Sequence, residues 1–344
     1  MSDFGDERTS IVDASTAAKQ DEERGEGKHV SRGRRADHPM QLPRHGWLDV
    51  AWRIWNNIGA NRIMLVAAGA TFYLLLALFP ALAAFVSLYG LVANPVSVAD
   101  HIAFLGSLLP AGGLDIIESQ LDALATQDAS ALSFGFILGL LIALWSANNG
   151  IKTLFDAMNI VYAEKEKRGF IQLNLLSAVF TIGGLLVAMA LIFTVGVVPA
   201  IIAFFGLANQ TDLMIAWLRW PALLTIIAIG ITLIYRFGPS RRPAKWRWLI
   251  PGSVLATAIW ISASAAFSFY LQNFADYNAT YGSLGAVIGF MTWTWISVII
   301  LLVGAQLNAE IEHQTLNDTT IGPGARMGER GAVVADSVGE ARPA

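Results

Sequence analysis

The sequence predicts an all-α integral membrane protein, a bundle of six transmembrane helices, and three observations carry that prediction. Six stretches contain no charged side chain: Ile63–Ala99, Ala129–Ile151, Gly169–Thr211, Trp220–Tyr235, Trp248–Ala275 and Tyr277–Ala309. A helix needs about 20 apolar residues to cross the hydrocarbon core, and a soluble domain has no use for six such runs. Only 14% of residues are charged and 55% are hydrophobic, against about a quarter charged in a soluble globular chain. Finally, the basic residues collect in alternate connections. Lys165, Lys167 and Arg168 follow the second stretch, and Arg236, Arg241, Arg242, Lys245 and Arg247 follow the fourth. Residues 94–130, 206–212 and 272–283 hold no Lys or Arg, and Arg219 is the one basic residue near the opposite face. The positive-inside bias therefore predicts an even number of spans with both termini in the cytoplasm.

The elements follow in order. Residues 1–45 are polar and aperiodic and read as a disordered cytoplasmic tail; their SRGRR run at 31–35 reads as a solvated segment that helps fix orientation. No apolar run in the first sixty residues has the length of a cleaved signal, so the first span is expected to act as its own insertion signal. In GWLDVAWRIWNNIGANR, the residues Trp47, Leu48, Ala51, Trp52, Trp55 and Ile58 share one helical face, with Asp49, Arg53, Asn56 and Asn57 opposite. That pattern predicts an N-terminal interfacial helix lying in the headgroup region. Spans are expected at 63–93, 132–155, 174–205, 213–235, 249–271 and 284–308, with Pro80 kinking the first. The third would be about 48 Å of helix, longer than the core is thick. Tilt, extension beyond Pro199 or two re-entrant legs would each accommodate it. Two full spans would move the Arg-rich 236–247 connection to the wrong side, so one long helix is expected. Between spans one and two, Leu114, Ile117, Leu121 and Leu124 lie opposite Asp115, Glu118 and Asp122. They predict short amphipathic outer helices split at Pro110. The membrane domain thus covers 46–315, and 316–344 again reads as an unstructured cytoplasmic tail.

Polar groups at membrane depth are costly and are the natural place to look for function. Asn148, Lys152, Asp156 and Asn159 recur at four, four and three residues, so they share a face of the second span, with Asn149 adjacent. With entry near Leu132, Asn148 sits about 24 Å in, past the midplane, and Lys152 nears the inner interface. A cavity lining and a snorkelling lysine with interhelical hydrogen bonds are both consistent with this stripe. In the fifth span Ala258, Ser262 and Ala266 are four apart and are expected to form a close-packing helix face, near Ser264 and Ser268. At the end of the last span stand Gln306, Asn308, Glu310 and Glu312; Glu310 is expected to face Lys152 or Arg236.

Composition excludes several function classes. There is no cysteine, hence no disulfide or thiolate metal ligand. A net charge of −3 points away from a nucleic-acid partner. The five histidines, His29, His38, His45, His101 and His313, lie outside the spans and far apart, with no zinc spacing, phosphate loop or nucleophile elbow. No enzyme, no metal and no cofactor is expected.

Four stretches carry a resemblance: AGATFYLLLALFPALAAFVSLYGL (68–91), WSANNGIKTLFDAMNIVYAEKEKRGF (145–170), LIYRFGPSRRPAKWRWLIPG (233–252) and NFADYNATYGSLGAVIGFMTWTWISVIILLVGAQLNAEIE (273–312). Together they resemble the YihY/BrkB family of bacterial envelope proteins over about residues 46–313. The resemblance implies a bacterial inner-membrane protein with six helices and cytoplasmic termini. It also implies a role in envelope integrity and transport of a lipid or other amphiphile. The name ribonuclease BN, once given to members, has no support in these residues. The expected function is a transporter without an ATP motif, with membrane lipids as partners and an anionic lipid or amphiphile as substrate. Its expected path runs along Asn148, Asn149, Lys152 and Asp156, with Glu310 at the inner end. The competing expectation is a structural scaffold for envelope assembly.

Overall fold

A computed structural model describes residues 32–92, 129–192, 211–273 and 284–343. Among them are seven α-helices: α1 (Arg44–Ala60), α2 (Ile63–Val92), α3 (Ala129–Val161), α4 (Phe170–Ile192), α5 (Thr211–Phe237), α6 (Trp246–Asn273) and α7 (Gly285–Glu312). A 3-10 turn at Pro39–Gln41 precedes α1. The described residues form no strand, only an isolated bridge between Ala244 and Thr320. The expected outer helices at 100–128, the far end of the third span and the tail before residue 32 lie outside the described residues.

Four stretches are long and apolar enough to cross a membrane: Ile137–Val161, Phe170–Val187, Trp246–Leu271 and Val287–Glu312. Pro221–Phe237 is a shorter apolar helix, and α1 with the first half of α2 passes the same test as a pair bent by 60°. The outward surfaces carry Leu65, Phe72, Leu141, Trp145, Leu175, Ile182, Ile250 and Val254, an apolar belt that a soluble monomer does not leave exposed.

α7 is the central helix and touches α6, α2, α1 and α3. On α2, Ile63, Ala67, Ala70, Leu74 and Ala77 repeat every three or four residues. Gly69 lies beside Thr153 and Leu74 beside Gly150, so α2 and α3 run antiparallel. Against α7, the closest approach of α6 is made by Gly252 and Ala256 meeting Gly304. Asn308, fully buried, accepts from Gly252 N (2.8 Å) and donates to Leu249 O (3.0 Å). These bonds flank Pro251, which lacks an N–H to continue the helix ladder. Tyr235 donates to Leu301 O (2.7 Å), and Trp260 and Trp293 donate to Ser297 and Ser264 across the α6–α7 seam.

Two expectations are corrected here. Ala258, Ser262 and Ala266 face outward; the close-packing face of α6 is the one through Gly252, Ala256 and Trp260. Ala258, Ser262 and Ala266 are small enough to pack, but the approach of Gly252 to Gly304 settles which face meets α7. The described parts of the expected tails are folded. Residues 32–43 and 313–343 are held against the basic end of the bundle by polar contacts and by Ala36, Leu42 and Val334, which join the apolar clusters of the helices. Arg34 donates to Gln314 O and Gly339 O, and Arg330 to Ala335 O and Leu316 O. The Asp336 carboxylate accepts from Gly328 N, Arg330 N and Gly331 N, and Val334 and Ala335 are buried.

Candidate functional site

The polar stripe of α3 meets α4. Lys152 Nζ donates to Asn174 Oδ1 at 3.0 Å, and Asn148 Nδ2 reaches the same oxygen at 3.5 Å. Asn174 is held in turn by donating to Phe170 O at 2.7 Å, one turn back on α4. Asn148 Oδ1 and Ser146 Oγ are buried with no hydrogen-bond partner among the described residues. Lys152 and Asn149 are half-buried and Asp156 is exposed. Lys152 and Asp156 form no ion pair; the ammonium has neutral amide neighbours instead. The arrangement presents a positive charge with no ion pair among the described residues, with amide donors and acceptors beside it and Asp156 within electrostatic reach. It can attract and orient an anion.

Asn174 was missed by the sequence reading, although a signal for it exists. It is one of two amides, with Gln172, near the start of an uncharged run, opposite Lys152 in the neighbouring antiparallel helix. Asn159, last in the expected stripe, serves the α3–α4 connection. It donates to Glu166 Oε2 (2.9 Å) and accepts from Ser240 N (2.7 Å). Arg168 binds Glu166 through both its Nε and Nη2 and also donates to Phe237 O and Gly238 O. Burial pushes the Glu166 carboxyl up, but the hydrogen bonds from Arg168 and Asn159 outweigh it and hold the group at about 2. A depressed carboxyl contributes stability that is complete above its ordinary value near 4.5 and is lost as pH falls through the folded value. Pepsin cleavage at Phe170 is therefore expected to stay slow near pH 4 and to accelerate towards pH 2. Glu166→Gln is expected to be cut quickly at both, and equal rates for the two proteins at pH 4 would refute the clasp.

Glu310 is not part of the Lys152 group. It bonds to Arg53 Nε (2.5 Å), Asn57 Nδ2 (2.6 Å) and Gln306 Nε2 (2.9 Å), and neither Lys152 nor Arg236 is its partner. On the polar face of α1, Asp49 and Arg53 are buried against protein and Asn56 is exposed, while Trp47, Leu48 and Trp55 on the other face are exposed. An interfacial helix has apolar groups available to lipid on one side and can satisfy its polar side with protein. Asp49 pairs with Arg32 and accepts from Arg342 N (3.0 Å), so both terminal segments meet on α1. Burial raises the Asp49 carboxyl, but the bonds from Arg342 and Arg32 bring it below the usual range.

Two residues past Glu310, Glu312 points the other way. It pairs with Arg241 (2.6 Å) and accepts from Thr319 Oγ1 (2.8 Å), and the Arg241 guanidinium lies 5.0 Å over the Tyr162 ring. Glu310 and Glu312 thus tie the end of α7 to α1 on one side and to the α5–α6 connection on the other. Among the described residues no group of three His, Cys, Asp or Glu is placed to hold a metal ion.

Comparison with known proteins places the chain among membrane proteins. The chain is 32% identical over 256 residues to YfkH of Bacillus subtilis, a protein named as ribonuclease-like, covering 71% of this chain and 88% of that one. It is 27% identical over 271 residues to a UPF0761 membrane protein of Neisseria meningitidis serogroup B, covering 76% of this chain and 63% of the relative. A UPF0761 membrane protein of Nitrosospira multiformis is 27% identical over 266 residues, and the match spans 60% of its length. The chain thus spans less than two thirds of these membrane-protein relatives. No solved structure matches it. A family model described as Virulence factor BrkB matches residues 54–328. The chain belongs to the BrkB family of membrane proteins.

Proposed function

We propose that the chain is a six-span protein of the bacterial inner membrane, with both termini in the cytoplasm, that moves an anionic lipid or other amphiphile during envelope maintenance. Lys152 carries the reading. Its ammonium lies at the α3–α4 seam beside Asn148 and Asn174 and makes no ion pair among the described residues. A lysine in the hydrophobic part of a span costs up to about 2.5–3.5 kcal/mol at the helix centre, and such residues mark substrate pathways by default. Asn149 and Asp156 extend the path towards the cytoplasm. Glu310 leaves it, because its bonds are to α1. No nucleotide motif is present in the sequence, so movement is passive or ion-coupled.

The test is translocation of fluorescent anionic and zwitterionic lipids in proteoliposomes, read as loss of protection from a membrane-impermeant quencher. Lys152→Ala is expected to lower the protein-dependent rate about tenfold while unfolding at the same denaturant concentration as wild type. Folded wild-type protein that moves neither lipid would sink the transport reading.

The basic end favours a second reading, a scaffold for envelope assembly. The terminal segments, α1 and two connections are knitted there into one rim through Asp49, Glu164, Arg241 and Glu312. A scaffold makes Lys152→Ala harmless in cells and makes removal of residues 316–344 severe.

A further inference from the structure

We propose that the corner where α5 turns into α6, built on Arg236 and Trp246, binds an anionic phospholipid of the cytoplasmic leaflet. This site uses neither α3 nor α4, and it stands whether or not the protein transports anything.

The Arg236 guanidinium lies 4.3 Å over the Trp246 ring and 5.6 Å over the Phe237 ring. One nitrogen, Nη1, donates to Ala244 O at 2.5 Å, which fixes the plane of the group. Its Nε is buried and has no hydrogen-bond partner among the described residues, and the same holds for Nε of Arg247, one residue beyond Trp246. Buried polar groups of this kind call for an explanation, and an ion is among the usual ones. The charge balance points the same way. Arg32, Arg53, Lys167, Arg168 and Arg241 are each paired with a carboxylate. Among the described residues Arg236 and Arg247 make no such pair, whereas Arg242 packs against Gly322 and Lys245 donates to Asp318 O, so the unpaired charge of the corner rests on Arg236 and Arg247.

The apolar surface below the charge selects the ligand class. On α6, Trp246, Ile250 and Val254 are exposed one turn apart; on α5, Phe237, Ile229 and Ile226 are exposed. Since both Phe237 and Trp246 lie against Arg236, the two stripes begin at one guanidinium and run into the membrane. A free phosphate would use only the charge. A phospholipid uses the guanidinium for its phosphate and the stripes for its chains. Basic pockets between helices at the cytoplasmic side suit anionic headgroups, and the unpaired Arg236 and Arg247 disfavour a headgroup that carries its own ammonium.

The test uses the full-length, delipidated protein in detergent, titrated with phosphatidylglycerol or with phosphatidylethanolamine of the same chains, and bound lipid is counted by native mass spectrometry. Phosphatidylglycerol is expected to be retained at several-fold lower concentration than phosphatidylethanolamine. Arg236→Gln is expected to weaken its retention about tenfold, the loss of one charge-assisted hydrogen-bonding group. Trp246→Ala is expected to weaken it a few-fold, while Trp246→Phe keeps it. If Arg236→Gln does not fold, Arg247→Gln takes its place with the same expected loss. Equal retention of the two lipids, or unchanged retention of phosphatidylglycerol in the folded arginine variant, overturns the proposal. Competition by glycerol phosphate as effective as by the lipid would show an anion site without lipid selectivity and would overturn it too.

Discussion

Gly304→Ala is expected to break the seam between α6 and α7. A Cβ at position 304 would stand 2.7 Å from the Gly252 carbonyl oxygen and 2.8 Å from Ala256 Cβ, and closer still to the Tyr235 hydroxyl. Gly252→Ala meets the same wall from the other side, with the Asn308 amide 2.5 Å away. Two of those neighbours are backbone or a short fixed side chain, so no flexible tip can swing aside. Overpacking of this kind costs about 1–3 kcal/mol, and here it also threatens the Tyr235 and Asn308 bonds that join three helices. Unfolding by a denaturing detergent, followed by tryptophan fluorescence, should show a clear shift to lower concentration. Gly183→Ala and Gly184→Ala on α4, where nothing lies within 4 Å of the added carbon, should unfold like wild type. A Gly304→Ala protein as stable as those controls would mean that the two helices are not in contact there.

Removing one member of the Arg53–Glu310 pair should cost about 3–5 kcal/mol, since it leaves the other charge buried and unpaired. Both side chains are nearly inaccessible, at 6% and 4% exposure. Glu310→Ala also strands Asn57 and Gln306, while Arg53→Ala strands Gln314 and frees the Glu340 carbonyl. The double variant should be much less costly than the sum of the singles, with a coupling of about 1–3 kcal/mol by a double-mutant cycle. Strict additivity would show that the pair does not act as a unit. The comparison with Lys152→Ala separates two kinds of polar residue in the same protein. Glu310 variants lose the fold at the basic end, whereas Lys152→Ala keeps it and loses the proposed activity.

Much of the helical framework was legible because a span is a local property of the chain. Apolar length sets where α2 to α7 lie, and the described helices begin or end near the expected boundaries. α3 and α7 run on past those boundaries, to Val161 and Glu312, because polar partners receive them at the basic end. That Asn148 and Lys152 share a helix face was also legible, since it follows from their spacing alone. Their partner on α4 was not, because Asn174 belongs to a different helix and its role depends on how two helices are rotated against each other.

The sequence by itself determined the membrane class of the protein, its helical content, the basic bias of one end and the family to which it belongs. Only the tertiary structure decided which face of α6 meets α7, that Glu310 binds Arg53, and that Asp49 and Arg53 of α1 are buried against protein. It alone showed residues 313–343 folded over the helix ends. The physical reason is the same in each case. Apolar length and charge bias are summed along the chain, so they survive without knowledge of neighbours. A glycine contact, a buried ion pair or a capped carbonyl exists only once two distant segments share a position, and composition carries no record of that geometry. Polar segments such as 313–343 look unstructured by composition because their order is supplied by the helix ends they bind.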